Sequence, residues 1–242
     1  MVVIAAPELL EPILTSNTLI TKAIEYDCFI PLLGKSLAVA KAEPWKKKNR
    51  RLFNPAFKVK ILNKFLYAFN DKSLVCAQEL EEAIKSHKGG EINVFPIMTS
   101  CTMDIICETT MGGKTLNDED KANYIKNFHG FENIFQQRLN QPWLRLDWLF
   151  KLSEPGRRNE RFCQGLRDFS NMLISDRREL LKRTKINYES NNNYKNNREN
   201  NGHEEKENMV FMDLLIKESD VNSNFTHDEM RDEVSSMMAG VG

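Results

Sequence analysis

The sequence lacks any apolar run long enough to cross a bilayer. Its first residues, MVVIAAPELLEPIL, are interrupted by Pro7, Glu8, Glu11 and Pro12. They have neither the basic start nor the unbroken apolar core of a signal peptide. As read, the chain carries no anchor of its own. Net charge is missing too: 34 Lys and Arg balance 34 Asp and Glu, which excludes a whole-chain electrostatic grip on nucleic acid, so no nucleic-acid partner is expected. Cysteine is scarce. Cys28, Cys76, Cys101, Cys107 and Cys163 are irregularly spaced with no C-x-x-C pair, and the four histidines form no H-x-x-x-H pair. That argues against a zinc site and for reduced, buried thiols. G-x-S-x-G, G-x-x-x-x-G-K-[ST], H-E-x-x-H and G-x-G-x-x-G are all absent, so no self-contained active site of those types is encoded.

What is present is helical patterning, and the expected fold class is mainly α. Hydrophobic residues make up 41% of the 242, enough for one sizeable core. Residues 2–6 suit a short strand, 8–14 a short helix broken at Pro12, and 91–95 a second strand or extended entry. Another short helix is expected to reach Tyr26, and residues 27–43 read as loop. A long amphipathic helix is expected over 60–87, with a stripe through Leu62, Phe65, Phe69, Leu74, Ala77, Leu80 and Ile84. Residues 97–111 are apolar on nearly all sides and read as a core helix. Asn117 or Asp118 can cap a helix whose face is Tyr124, Phe128, Phe131 and Phe135. A further long helix over 157–183 presents Phe162, Leu166, Phe169, Leu173 and Leu180. Residues 187–208 hold nine asparagines and almost nothing apolar, so burial cannot offset their ordering entropy and a disordered insert is expected there. Residues 209–218 return to a helix, and Thr226 with Glu229 forms a capping box for a last one, which runs to Ala239-Gly240-Val241-Gly242.

Three features bear on chemistry. Trp45 lies beside the basic run KKKNRR at 46–51, and an indole N–H with an Arg guanidinium can grip a carboxylate or phosphate together. The alternative is a solvated basic face. The second feature is C-T-M-D-I-I-C-E-T-T-M-G at 101–112, where Asp104 and Glu108 share a helix face and are expected to contact a neighbouring helix or solvent rather than do acid–base work. The third is the small-residue end Ala239-Gly240, which admits either a flat ligand or tight helix packing.

Taken in order, these stretches resemble the cytochrome P450 monooxygenases, specifically the insect-type microsomal family 4. The matching segments are APELLEPIL with YDCFIPLLGKSL, WKKKNRRLFNPAF, CTMDIICETTMG, and FMDLLIKE followed by THDEMRDEVSSMMAG. The resemblance runs from about residue 2 to the end, apart from the asparagine-rich insert. It implies the central helical part of the P450 fold, helices B to the start of I, as one partial domain over 1–242.

By the same resemblance, Trp45 and Arg50 lie on helix C and hold the haem propionates. Here they are five residues apart, where the family has four, so they share a helix face poorly unless the helix starts after Trp45 or bulges. Ala239 and Gly240 lie at the haem's distal face. Ala239 stands where many family-4 enzymes carry a Glu that esterifies the haem, which implies no covalent link. Gly242 stands where an acidic residue is usual. Leu37 and Val39, in the loop at 35–42, are the implied substrate residues, and residues 118–137 and 157–183 are the helices that roof the pocket.

The implied function is insertion of one oxygen atom from O2 into a lipophilic substrate. The cofactor is haem b, and electrons come from NADPH through NADPH–cytochrome P450 reductase, for which Lys46, Lys47 and Lys48 are a candidate docking point. The implied location is the cytoplasmic face of the endoplasmic reticulum membrane. None of the five cysteines sits in the family's F-x-x-G-x-x-x-C loop. The 242 residues are therefore expected to hold no catalytic residue and no metal ligand, and to be inactive alone as a fragment of the monooxygenase. A haem-free helical binding protein is the alternative.

Overall fold

The computed structural model describes residues 4–16, 18, 21–41, 53–87, 90–113, 116–192 and 210–240, with the backbone alone over 185–192. The chain is mainly α, and no strand occurs among the described residues. Nine α-helices follow one another there: α1 (Pro7–Leu14), α2 (Ile30–Leu33), α3 (Val59–Ser86), α4 (Phe95–Thr109), α5 (Asp118–Asn140), α6 (Asp147–Leu152), α7 (Glu154–Asn192), α8 (Phe211–Val221) and α9 (His227–Ala239). Short 3-10 turns at Ile24–Phe29, Asn54–Phe57 and Pro142–Arg145 join them.

The helices form where local chemistry starts them. Asn117 Oδ1 accepts the Asp120 N–H at 2.7 Å, and Asp118, Glu119 and Asp120 complement the positive end of α5. At α9 the capping box is complete: Thr226 Oγ1 accepts the Glu229 N–H and Glu229 Oε2 accepts the Thr226 N–H, both at 3.1 Å.

The core centres on the antiparallel crossing of α5 and α7. Tyr124, Phe128 and Phe131 of α5 meet Leu166, Phe169 and Leu173 of α7, with Met212, Leu215, Met230, Val234 and Met238 of α8 and α9 closing the other side. Phe135 packs on Phe29, ring centroids 4.4 Å apart. Gly130 is required at this crossing, because a Cβ there would lie 2.5 Å from the Phe162 ring.

Several local expectations change. Residues 4–6 and 91–94 are not strands, since an extended apolar segment becomes one only when another pairs with it. α1 continues through Pro12, a 3-10 turn and α2 occupy part of the stretch expected to be loop, and Gly112 and Gly113 follow α4 as foreseen. α3 seats Ile61, Ala68 and Cys76 inward, while Leu62, Leu74 and Ile84 of the expected stripe are exposed. The period was helical, but the buried face is rotated. α4 is half-buried rather than enclosed: Met103 and Cys107 are interior, Met98 outside. Glu108 and Asp104 reach neighbouring helices, Glu108 to Lys72 at 3.1 Å and Asp104 to Lys121 at 2.7 Å, which settles them as structural ions. α7 begins at Glu154, where Pro155 is tolerated in the first turn, and runs to Asn192, into the stretch expected to be an insert. Residues 193–208 of that stretch lie outside the described residues.

Candidate functional site

Among the described residues, those singled out for ligand contact fall on the chain between α2 and Lys41 and on the end of α9. α2 ends at Gly34, whose φ of 52° and ψ of −120° suit the first central position of a type II′ turn, closed by the Ser36 N–H donating to Leu33 O at 3.0 Å. Glycine is needed here on two counts. A side chain rarely takes this conformation, and an added Cβ would overlap the Asp232 carboxylate, with Asp232 Oδ1 2.6 Å away.

The loop that follows lies on α9 through its backbone. The Lys35 N–H donates to Asp232 Oδ2 at 3.1 Å, and the Leu37 N–H donates to both oxygens of Glu233 at 3.1 and 3.0 Å. From the other side Lys22 Nζ donates to Leu37 O at 2.7 Å and to Ala38 O. Both carboxylates are buried, Asp232 7% and Glu233 4% exposed. Burial pushes Glu233 up to about 7; Asp232 and Glu229 add to the rise, while the Leu37 N–H and Lys22 oppose it. Burial also lowers Lys22, against the pull of Glu233.

Leu37 and Val39 are half-buried and pack on the main core, as do Met237 and Ala239 at the end of α9. Beside them opens a cleft of about 290 Å³, lined by Ile30, Val39, Phe225, Glu229, Glu233 and Lys41 among others. Gly240 caps α9 in ordinary helical backbone. The nearest heavy atom to an added Cβ would be Met237 O at 3.5 Å, so no described neighbour demands a glycine by tight packing. A second cleft of about 320 Å³ lies apart from these residues, between the loop after α4 and α7, and holds Arg177. Arg177 is spent on structure: it donates to Asp213 at 2.7 and 2.8 Å and to Gly112 O, pinning α8 to α7.

Burial favours the protonated form of four of the thiols. Cys107 and Cys163 are 1% and 0% exposed, and burial pushes both up to about 12. Burial and the neighbouring Cys76 push Cys101 up to about 11, and burial raises Cys28. No cluster of His, Cys, Asp or Glu among the described residues could hold a metal ion.

A family model for cytochrome P450 matches residues 1–241. The chain belongs to the cytochrome P450 family. Among curated relatives, cytochrome P450 4c3 of Drosophila melanogaster is 34% identical over 238 residues, covering 98% of this chain and 44% of the relative. Cytochrome P450 4c21 of Blattella germanica and cytochrome P450 4V2 of Homo sapiens are each 28% identical, over 97% and 98% of this chain and 45% and 44% of their own lengths. The chain thus spans less than half the length of these P450 relatives.

Set on the P450 family, the structure brings Leu37, Val39 and Ala239 onto one core and leaves Gly240 at the helix end. Trp45, Arg50 and the lysines at 46–48 lie outside the described residues. Asp232, Glu233, Lys22 and Gly34, which hold the loop, were not foreseen. One signal for Glu233 was available. It stands three residues after Met230 and four before Met237, a carboxylate on the face of α9 that the sequence otherwise fills with apolar residues.

Proposed function

We propose that these residues form the pocket side of a haem-thiolate monooxygenase that inserts one oxygen atom from O2 into a lipophilic substrate. Electrons arrive from NADPH through NADPH–cytochrome P450 reductase. The observation that carries this reading is the family match spanning residues 1–241. Haem b is the cofactor, and it supplies oxygen activation when bound. Trp45 and Arg50 carry the propionate role by resemblance. Ala239, whose methyl offers no carboxylate, leaves the haem without an ester link. None of the cysteines sits in the F-x-x-G-x-x-x-C loop that the resemblance assigns to the iron ligand, so no step through iron is assigned to them. The 242 residues alone are accordingly inactive.

A lipophilic substrate is supported by the apolar part of the cleft, Ile30, Val39, Ala40 and Phe225, which shares the wall with Asp27, Lys35, Lys41, Glu229 and Glu233. The residues held by α9 position that surface. Location at the endoplasmic reticulum membrane is supported by a second patch. Trp143, Leu146, Trp148 and Leu152 are 57%, 52%, 64% and 70% exposed, next to Arg145 and Lys151, a composition suited to the headgroup level of a bilayer. No helix among the described residues is long and apolar enough to cross a membrane, so this patch would rest on the surface.

The test is isotopic. The protein expressed from the complete transcript that carries these residues is incubated with reductase, NADPH, tetradecanol and 18O2. One 18O atom per product molecule, dependent on both NADPH and reductase, supports the proposal; an oxidised product without 18O refutes it.

A further inference from the structure

We propose that Asp232 and Glu233 are positioning residues for substrate selectivity: by accepting the Lys35 and Leu37 amide protons they fix residues 35–41 on α9 and so place Leu37 and Val39. This rests on the reading above that the 35–41 loop borders the substrate.

Three observations carry it. First, both carboxylates are almost fully buried, in positions where apolar side chains would satisfy the core without the cost of taking a charge out of water. Asp232 Oδ2 and both Glu233 oxygens accept from the backbone of one loop at 3.0 to 3.1 Å, while Asp232 Oδ1 accepts from Arg231 at 3.0 Å. A bond to a backbone N–H is blind to the side chain it carries. The loop's position is therefore set by α9, while Leu37 and Val39 stay free to define shape.

Second, the Leu37 peptide is held at both ends. Glu233 takes the N–H and Lys22 takes the C=O, so Leu37 cannot rotate without losing one of them. Third, Gly34 leaves the space that the Asp232 carboxylate fills, and its type II′ geometry starts the loop at the same place. Cap, turn and clamp converge on a stretch that also walls the cleft holding Val39 and Glu233.

The clamp also responds to pH. Among the described residues, the charged groups acting on Glu233 are Asp232 and Glu229 on its own helix and Lys22 from the segment before the 3-10 turn, and Asp27, Lys35 and Lys41 line the same cleft. With burial holding Glu233 up at about 7, its charge changes near neutrality. A charged acceptor makes a stronger bond to the Leu37 N–H than a neutral one, so the loop is held tighter above that pH.

The test has two arms. Hydrogen–deuterium exchange is followed peptide by peptide in wild type, Glu233→Ala, Glu233→Gln and Asp232→Asn, at pH 6 and pH 8 and corrected for intrinsic rates. Glu233→Ala should speed exchange of the 34–41 peptide by roughly tenfold or more, as expected for a lost charge-assisted hydrogen bond. Glu233→Gln, which keeps an acceptor oxygen, should restore most of the protection but lose its rise between pH 6 and pH 8. Peptides from α5 and α7 should not change. Uniform acceleration across all peptides makes Glu233 merely structural and overturns the proposal, as does an unchanged 34–41 peptide.

The second arm reads the hydroxylation positions on n-alkanols of graded length, using the protein from the complete transcript with reductase. A shifted product distribution in Glu233→Ala, reversed in Glu233→Gln, supports the positioning role. A loosened loop with an unchanged distribution separates the two claims: the clamp stands, but the loop does not border the substrate.

Discussion

Adding one methyl group at Gly34 probes the junction of loop and helix more sharply than any deletion. Gly34 has φ 52° and ψ −120°, and an alanine there is strained by about 1–3 kcal/mol whatever surrounds it. Its Cβ would also overlap the Asp232 carboxylate, whose far oxygen would be 2.6 Å away, so that side chain must move. Moving it breaks the 3.1 Å bond from the Lys35 N–H and disturbs the 3.0 Å bond from Arg231, leaving a buried carboxylate short of donors. That displacement adds about 1–3 kcal/mol. Gly34→Ala alone should therefore cost about 2–6 kcal/mol. In an Asp232→Ala background the clash is gone and only the backbone strain remains, about 1–3 kcal/mol. A double-mutant cycle by urea unfolding, followed by far-ultraviolet circular dichroism, should give a coupling of about 2 kcal/mol. Additive costs, within about 0.5 kcal/mol, would refute the claim that Gly34 is glycine because Asp232 occupies its side-chain space.

Three further outcomes are expected. Glu233 has a folded pKa of about 7 against an ordinary 4.5, so between those values the native state binds more protons than the unfolded one and stability falls as pH rises. The loss is complete above about pH 7 and amounts to about 3 kcal/mol; Glu233→Gln should flatten that slope in unfolding measured from pH 4 to pH 8. The Lys121–Asp104 pair joins α5 to α4 at 2.7 Å with both side chains largely buried, so Lys121→Ala should cost about 3–5 kcal/mol, and Lys121→Met with Asp104→Leu should recover most of it in thermal melts. Trp143→Ser with Trp148→Ser should lower binding to phosphatidylcholine vesicles by roughly tenfold or more in a flotation assay without changing the far-ultraviolet spectrum; unchanged flotation would separate this patch from the membrane.

The helical class and the interior of α5 could be read directly, because a cap at Asn117 and aromatic steps of four and three are local signals. The Thr226–Glu229 capping box was legible for the same reason. What failed were features set by partners elsewhere. VVIAA and EINVF have strand composition, yet nothing pairs with residues 4–6 or 91–94 among the described residues. On α3 several phases of the apolar pattern fit a helix equally, and only contact with α4 selects Ile61, Ala68 and Cys76. The proposed site divides likewise. Leu37, Val39, Ala239 and Gly240 are assigned to it by motif resemblance. Asp232 was invisible because its partner, the Lys35 amide, is 197 residues away in the chain, and an acidic residue in a charged helix start reads as solvated until that distance closes.

The central proposal is that these residues belong to a haem-thiolate enzyme and that the iron ligand is not among the described ones. The ferrous–CO absorption spectrum tests both halves at once. Protein from the complete transcript should show the red-shifted Soret band of a thiolate-ligated haem, and the 242-residue chain supplied with haem should not. A thiolate-type band from the 242 residues alone, or none from the complete product, would contradict the account.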